Sequence, residues 1–205
     1  MSSKPVKCVI LGDCGVGKTS LVRKYISNEF GDHQSTLGAS FWELSLDYTD
    51  TENKGHIIPI HIWDTAGQER YRGLTPMYIR NTDIALIVYD VNNKDSFNNL
   101  KEWFKILKAS IKTEIPIFIL GNKQDLEKVV TDEDIIVYTN SVDDYTSHYF
   151  VSAKTAYNVN KVFESIKYES RKIIKKKLKH RKNIAESVTF KITESTKKYN
   201  CCNLM

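Results

Sequence analysis

The sequence predicts an α/β fold: a six-stranded, mostly parallel sheet with one antiparallel edge strand and helices on both faces. Two patterns carry this prediction. Short, nearly continuous runs of β-branched and aromatic residues are typical of strands that are covered on both faces. Their alternation with helical patterns predicts a parallel sheet wrapped by helices. The continuous runs span residues 6–11, 58–64, 84–90, 115–123 and 148–153.

The remaining strand differs because its side chains alternate in polarity. In the segment ASFWELSLDY, residues 39–48, Leu46 falls on one face while Phe41 and Glu43 fall on the other. This alternation predicts a half-exposed strand near a sheet edge, where a partner can dock. The loop over residues 49–55 then turns the chain back, which predicts an antiparallel hairpin with the next strand.

Four helices are predicted between and after the strands. One follows a glycine-rich loop over residues 18–27, and a second, over residues 96–111, carries one apolar stripe. A third begins at Thr131, which forms a capping-box pattern with Asp134. The last runs from Val159 to about residue 179 and becomes strongly basic.

Charge is divided unevenly along the chain. Residues 167–205 hold 12 basic and 3 acidic residues, whereas the first 166 hold 18 basic and 22 acidic ones. A basic tail fits nucleic acid or an anionic membrane surface, and a solvated helix end is the simpler alternative. From about Asn183 onward, few large apolar residues and no helical period predict a flexible linker. The four cysteines are too few for a disulfide scaffold, which favours a reducing compartment.

A phosphate-binding motif follows the first strand. Residues 12–19, GDCGVGKT, match G-x-x-x-x-G-K-[ST] between a strand and a helix, the context that a P-loop needs. The glycines allow successive backbone N–H groups to point at a phosphate chain, and the helix dipole adds to their effect. Lys18 supplies a positive charge to the outer phosphates, and Thr19 supplies a hydroxyl for Mg²⁺. A plain strand–helix turn is the alternative.

The end of the 58–64 strand carries a second group of candidate residues in WDTAGQER. Asp64 can hold Mg²⁺, usually through water, and Gly67 can offer a backbone N–H to a terminal phosphate. Gln68 is placed to orient an attacking water. Taken alone, an aspartate at a strand end or a single glutamine is a weak signal, since a lone glutamine is more often a surface residue.

The ends of the last two strands carry residues suited to a base. Open parallel sheets bind ligands at the carboxyl ends of their strands, so GNKQD and SAK are expected at the same edge as the P-loop. Asp125 can accept hydrogen bonds from N1–H and the 2-amino group of guanine; adenine lacks both donors. Asn122 braces the loop, Lys123 can lie along the base, and the Ala153 N–H can meet the guanine oxygen.

Together these motifs resemble the P-loop NTPases of the small Ras-like GTPase type, the Ras-like G domain, over roughly residues 5–170. Within them the chain is similar to Rab proteins in STLGASF, WDTAGQERY and LTPMYIRNTDIALIVYD, and SAKTAYNVNKVF is closest to the early-endosomal branch. The expected catalytic residues are Gln68 and Lys18, and the expected metal ligands are Thr19, Thr36 and Asp64. The expected nucleotide contacts are Asp13, Cys14, Gly15, Val16, Gly17, Lys18, Thr19, Ser20, Phe30, Thr36, Gly67, Asn122, Lys123, Asp125, Ser152, Ala153 and Lys154.

The resemblance also implies roles that spacing alone does not give. It implies that Thr36 contacts Mg²⁺ and the γ-phosphate and that Phe30 packs on the base. It further implies that Phe41, Trp63 and Tyr78 form an aromatic triad that effectors read, although all three rings also suit a core.

The chain departs from the Rab pattern at three places. The spacing from Phe30 to Thr36 is one residue shorter than in the family, and His33 or Gln34 replaces the usual aromatic residue there. IRNT follows Tyr78 where the family usually has YRGA, and Cys14 replaces a small Ser, Thr or Ala. The shortened segment motivates an alternative function, a binding module that holds nucleotide without cycling.

The chain ends in CCNLM, which resembles the paired cysteines of Rab proteins. In that family Cys201 and Cys202 would both be geranylgeranylated in complex with an escort protein. The same ending also scans as C-a-a-X, with Cys202 as the acceptor and Met205 favouring farnesyl. Two lipids, or one lipid plus basic residues, anchor a protein stably, and the basic run over residues 171–182 can contribute.

The resulting interpretation is a GTPase domain over 5–170 and a prenylated, basic hypervariable tail over 171–205. The resemblance implies Mg²⁺ as cofactor, GTP and GDP as ligands, and slow hydrolysis that a GTPase-activating protein stimulates. It also implies an exchange factor, effectors, a Rab escort protein and a GDP-dissociation inhibitor as partners. A monomer is expected on the cytoplasmic face of endosomal membranes, and in the cytosol when extracted. An ATP-dependent P-loop kinase and a nucleic-acid role for the tail are the weaker alternatives.

Overall fold

The computed structural model describes residues 4–31, 36–49, 55–68, 73–142 and 146–199. The chain divides into two compact units, residues 1–170 and 171–205. The strands are β1 (Val6–Leu11), β2 (Ala39–Thr49), β3 (Gly55–Thr65), β4 (Ile84–Asp90), β5 (Ile117–Asn122) and β6 (Thr146–Phe150). The helices are α1 (Lys18–Ser27), α2 (Thr75–Ile79), α3 (Lys94–Asn98), α4 (Leu100–Ser110), α5 (Asp132–Asn140) and α6 (Val159–Tyr199).

The strands form one sheet in the order β2-β3-β1-β4-β5-β6. Only the β2–β3 pair is antiparallel; the other four pairs are parallel. The predicted fold class is therefore confirmed. Every residue of β4 and β5 is buried, as their continuous apolar runs predict.

The alternating strand lies at the sheet edge, as predicted. Leu46 is buried in β2, whereas Phe41, Glu43 and Asp47 are exposed. The strand pairs with β3 along its whole length, from Ala39 opposite Thr65 to Thr49 opposite Gly55. Most of the turn predicted over residues 49–55 lies outside the described residues.

The helix predicted over residues 96–111 is wrong as a single element, because α3 ends before α4 begins. Asn93 caps α3 by accepting a hydrogen bond from the Ser96 N–H. Asn99, with φ −75° and ψ −8°, then separates the two helices and donates its N–H to the Asp95 carbonyl. The single turn of α2 has no counterpart in the sequence prediction, since five residues are too few to show a helical period.

The flexible linker predicted from about Asn183 is also wrong over residues 183–199, because α6 continues to Tyr199. Residues 159–199 contain neither proline nor glycine, the two residues that most strongly oppose a helix interior. Within the described residues, none of the helices is both long and apolar enough to cross a membrane.

Candidate functional site

The loops that follow β1, β3, β5 and β6 line one cavity of about 490 Å³ at the carboxyl edge of the sheet. It contains 14 of the 17 predicted nucleotide contacts together with Gln68. The three that do not line it are Asp13, Val16 and Ser152. The sequence did not single out three residues that do line it, namely Gly31, Thr65 and Leu126.

The P-loop wraps around the ammonium group of Lys18, which is buried. Its Nζ donates to the carbonyl oxygens of Gly12 at 2.8 Å and of Asp13 at 2.7 Å. Burial lowers the pKa of Lys18 to about 8, an effect opposed mainly by the nearby Asp64 carboxylate. Gly17 precedes α1 with φ 93°, a left-handed conformation that favours glycine.

Three oxygen-bearing side chains meet beside the P-loop. The Thr19 hydroxyl donates to Asp64 Oδ2 at 2.6 Å and lies 2.9 Å from the Thr36 hydroxyl. Burial raises the pKa of Asp64, and its Oδ1 is buried without a hydrogen-bond partner. Hydroxyl and carboxylate oxygens are the ligands that Mg²⁺ prefers, so this group fits the ion. The described part of the chain holds no cluster of three or more His, Cys, Asp or Glu residues suited to a metal, and this group contributes a single carboxylate, that of Asp64.

Asn122 ties three loops together at the floor of the cavity. Its Nδ2 donates to the Val16 carbonyl at 2.8 Å, and its Oδ1 accepts the Ala153 N–H at 3.1 Å. A Cβ on Gly17 would lie 2.3 Å from Asn122 Nδ2, so only glycine allows this approach. The bracing role expected of Asn122 has a direct structural basis in these contacts.

Asp125 also lines the cavity, and its side chain is 15% exposed. Ser152 donates to Asp125 Oδ1 at 2.5 Å from behind, and Lys154 Nζ lies 3.9 Å from Oδ2. Ser152 therefore orients the carboxylate and does not itself line the cavity. Lys123 has φ 66° and pairs with Asp90, with 2.6 Å between Nζ and Oδ2.

Gly67 closes over the P-loop. A Cβ at this position would lie 2.3 Å from the Asp13 carbonyl oxygen and 2.4 Å from Lys18 Nζ. Gln68, the next residue, and Phe30, which is 51% exposed, both line the cavity. Thr65 is fixed at the end of β3 by donating to the Ile10 carbonyl at 2.6 Å.

The Asp13 side chain does not line the cavity, although its P-loop motif predicts a nucleotide contact. Its carboxylate accepts hydrogen bonds from Asn99 and Trp103, which belong to the α3–α4 region. Val16 is buried, and its carbonyl is occupied by Asn122. For both residues, a contact with nucleotide through the backbone stays a prediction.

The predicted aromatic triad is assembled on the surface of the first unit. The Trp63 ring lies 5.5 Å from that of Phe41 and 5.9 Å from that of Tyr78, measured between centroids. Phe41 is 50% exposed, and Lys7 Nζ lies 5.2 Å from the Trp63 ring. The three rings therefore form one accessible cluster across β2, β3 and α2.

The cysteines occupy distinct environments. Cys8 is buried in β1, where burial raises the pKa of its thiol, and Cys14 is exposed at the cavity. Cys201 and Cys202 lie outside the described residues, as do His33, Gln34 and Met205.

The sequence matches the Ras family over residues 7–172. The fold and the site together have the arrangement of a small GTPase. One edge of a Ras-like sheet carries the P-loop, a hydroxyl–carboxylate cluster, and the GNKQD and SAK loops. The chain belongs to the Ras family and, within it, to the Rab small GTPases of the early-endosomal branch, which act in vesicle trafficking. Ras-family GTPases bind GTP or GDP with Mg²⁺.

Among its relatives is the Ras-related protein Rab-21 of Geodia cydonium, 43% identical over 160 residues, which are 77% of this chain and 67% of that protein. The Ras-related proteins Rab-21 of Mus musculus and Bos taurus are each 42% identical over 160 residues, 77% of this chain and 69% of theirs.

Proposed function

We propose that the cavity binds GTP and GDP, with the phosphates on the P-loop and the guanine on Asp125. One observation carries this proposal: Lys18, Thr19 and Asp125 line the same cavity. The Asp125 carboxylate can accept both the N1–H and the 2-amino group of guanine. Adenine offers neither donor, so a carboxylate left unpaired disfavours ATP.

The metal ligands in this proposal are Thr19 and Thr36, with Asp64 acting directly or through water. Mg²⁺ bound there supplies positive charge to the β- and γ-phosphates. Support comes from the short contacts among the three oxygens and from the unpartnered Oδ1 of Asp64. With GTP bound, Thr36 and Gly67 are held by the γ-phosphate, and hydrolysis releases the two loops that carry them.

In the hydrolysis step, Gln68 orients a water for in-line attack on the γ-phosphate, and Lys18 stabilises the charge that develops. No arginine lines the cavity among the described residues. Intrinsic turnover is therefore slow, and a GTPase-activating protein supplies the missing positive charge.

Single-turnover hydrolysis with purified full-length protein tests this function. We expect GTP to compete for the site at least 100-fold better than ATP, since a site built around a donor pair rejects a ligand that lacks it. Phosphate release is expected to be slow and to accelerate with a GTPase-activating protein in wild type but not in Gln68→Leu. Equal affinity for ATP would favour the P-loop kinase instead.

The second candidate is a module that binds nucleotide without hydrolysing it. The short spacing between Phe30 and Thr36 is the observation that favours it. Tight GTP binding with no phosphate release, with or without the activating protein, would identify this module.

We assign effector recognition to the cluster of Phe41, Trp63 and Tyr78. The exposed Phe41 ring and the short centroid distances to the partly buried rings of Trp63 and Tyr78 support this role. The other proposed partners are an exchange factor, an activating protein, an escort protein and a GDP-dissociation inhibitor. A triple alanine variant is expected to keep GTP binding and to lose effector capture.

The proposed membrane anchor is the tail over residues 171–205, attached to a GTPase domain over 5–170. Prenyl groups on Cys201 and Cys202 would hold the protein on the cytoplasmic face of endosomal membranes, and extraction returns it to the cytosol. The intact mass of the C-terminal peptide from native cells tests this. Two geranylgeranyl groups support the Rab route, one farnesyl on Cys202 supports C-a-a-X processing, and bare cysteines contradict the anchor.

A further inference from the structure

The carboxylate of Asp13, in the P-loop, accepts hydrogen bonds from a distant part of the chain. Its Oδ2 accepts a hydrogen bond from Asn99 Nδ2 at 2.7 Å, and its Oδ1 accepts one from Trp103 Nε1 at 2.8 Å. Trp103 is 1% exposed, so its indole N–H has no access to bulk water. We call Asp13, Asn99 and Trp103 the Asp13 clamp.

The backbone of Asp13 simultaneously contacts the centre of the site. Its carbonyl oxygen accepts the Lys18 ammonium at 2.7 Å. Gly67 packs so closely on this carbonyl that a Cβ there would come within 2.3 Å. A rotation of the Asp13 peptide group would therefore disturb Lys18 and Gly67 together.

We infer that Asp13 is a positioning residue: Asn99 and Trp103 hold its carboxylate, and this fixes the carbonyl that orients Lys18. The inference rests on the proposed nucleotide site. In this inference, the residues that orient Lys18 through Asp13 belong to α4 and to the α3–α4 junction. The break between these helices at Asn99 has a functional consequence in this view, because it places an amide beside the P-loop.

The chemistry of the clamp explains why an acidic side chain is tolerated beside phosphates. A free carboxylate in the cavity would repel a nucleotide, but each oxygen of Asp13 receives an N–H donor outside the cavity. Asp13 does not line the cavity. The negative charge is thus directed away from the ligand while the backbone carbonyl faces Lys18.

A purely structural role is the competing explanation. In that case the carboxylate only satisfies the buried Trp103 N–H, and its loss lowers the stability of the fold without changing how nucleotide is held. Nucleotide dissociation kinetics separate the two explanations, provided that stability is measured on the same variants.

Asp13→Asn and Asn99→Asp are the informative substitutions. Asp13→Asn keeps an acceptor for Trp103 but replaces the charge-assisted contact with Asn99 by a weaker one between two neutral amides. Asn99→Asp brings two carboxylates together. The double variant restores a complementary pair, because the new aspartate at 99 accepts from the new asparagine at 13.

The test measures release of a fluorescent GDP analogue from full-length protein with Mg²⁺, alongside urea unfolding. Each single variant is expected to release GDP about tenfold faster, the effect of weakening one hydrogen-bond contact. The double variant is expected to return within about threefold of wild type. Tyr149→Phe is the control, since it removes a hydrogen bond to Ser165 in a different region and should leave release unchanged.

The indole N–H resonance of Trp103 gives an independent readout, assigned with Trp103→Phe. We expect it to move upfield in Asp13→Asn and in the double variant, since both offer Trp103 a neutral amide oxygen, and to stay near its wild-type position in Asn99→Asp. Wild-type release rates in Asp13→Asn, with a lower unfolding midpoint, would overturn the inference in favour of the structural role. Faster release that the double variant does not correct would overturn it too. Failure of wild type to bind GDP would overturn the proposed function itself, and the inference with it.

Discussion

Replacing Asn122 tests whether this cavity-lining residue also braces the loops that form the cavity. Asn122 is 1% exposed and contacts the carbonyl of Val16 and the N–H of Ala153. Asn122→Ala leaves both buried main-chain groups without a partner. Asn122→Asp keeps the acceptor for Ala153 but loses the donor to Val16 and directs a carboxylate at its carbonyl.

The magnitude follows from the two groups that lose a partner. Each buried, unpaired main-chain group costs about 1–3 kcal/mol, so Asn122→Ala should lower the free energy of unfolding by about 2–6 kcal/mol. Asn122→Asp removes one hydrogen bond, and the cost is about 1–3 kcal/mol plus the repulsion between the two oxygens. Both substitutions should lower the free energy of unfolding of the nucleotide-free protein.

Urea unfolding at limiting and at saturating GDP measures this directly. Ligand binding adds a stabilisation that depends on GDP concentration, so the difference between the two conditions isolates affinity. We expect the Asn122 variants to lose stability in both conditions. Lys154→Ala is the matched control, because Lys154 lines the same cavity but is 63% exposed. A stability loss confined to saturating GDP would refute the bracing role and make Asn122 a ligand contact only.

Three further predictions concern the base, the core and the metal. Asp125→Asn replaces a carboxylate that accepts two hydrogen bonds from guanine by an amide, so the affinity for GTP should fall by about 100-fold. The affinity for xanthosine triphosphate, XTP, should rise, because its base has a carbonyl in place of the 2-amino group; an unchanged preference for GTP over XTP in competition binding contradicts this. Burial and the charge of Lys128 lower the pKa of His148 to about 4. The unfolded histidine titrates near 6.5, so stability should fall by up to about 3 kcal/mol from pH 6.5 to 4, a loss that is absent from His148→Gln in urea unfolding. Thr19→Ala removes the hydroxyl that contacts Asp64, so EDTA should accelerate GDP release less than in wild type; an equal acceleration contradicts the metal assignment.

Local patterns predicted the strands and several of the residues that face the cavity. The apolar run of β4 is continuous because both faces of that strand are buried, and β2 alternates because only one face is. Lys18 and Thr19 could be placed because a P-loop combines a phosphate cradle with a fixed position after a strand. The carboxyl ends of parallel strands then bring Asp125 to the same edge.

Side-chain contacts between distant parts of the chain could not be predicted in this way. Asp13 and Trp103 are separated by 90 residues, and nothing in either local pattern indicates a hydrogen bond between them. Asn99 was hidden within an apolar stripe that continues across the α3–α4 break. Thr65 lines the cavity, and its hydroxyl donates to the Ile10 carbonyl, a contact that depends on the pairing of β1 with β3.

Residues whose side chains contact the nucleotide play a different part from residues whose side chains hold the loops around it. Lys18 and Asp125 face the cavity, so a motif defined by ligand chemistry includes them. Asn122 belongs to such a motif as well, yet its contacts are with the protein backbone. Asp13 joins the phosphate-binding loop to α4 in the same manner. Because both residues act on loop backbones, changes at their partners, Trp103 among them, can alter nucleotide retention while every residue that touches the nucleotide stays the same.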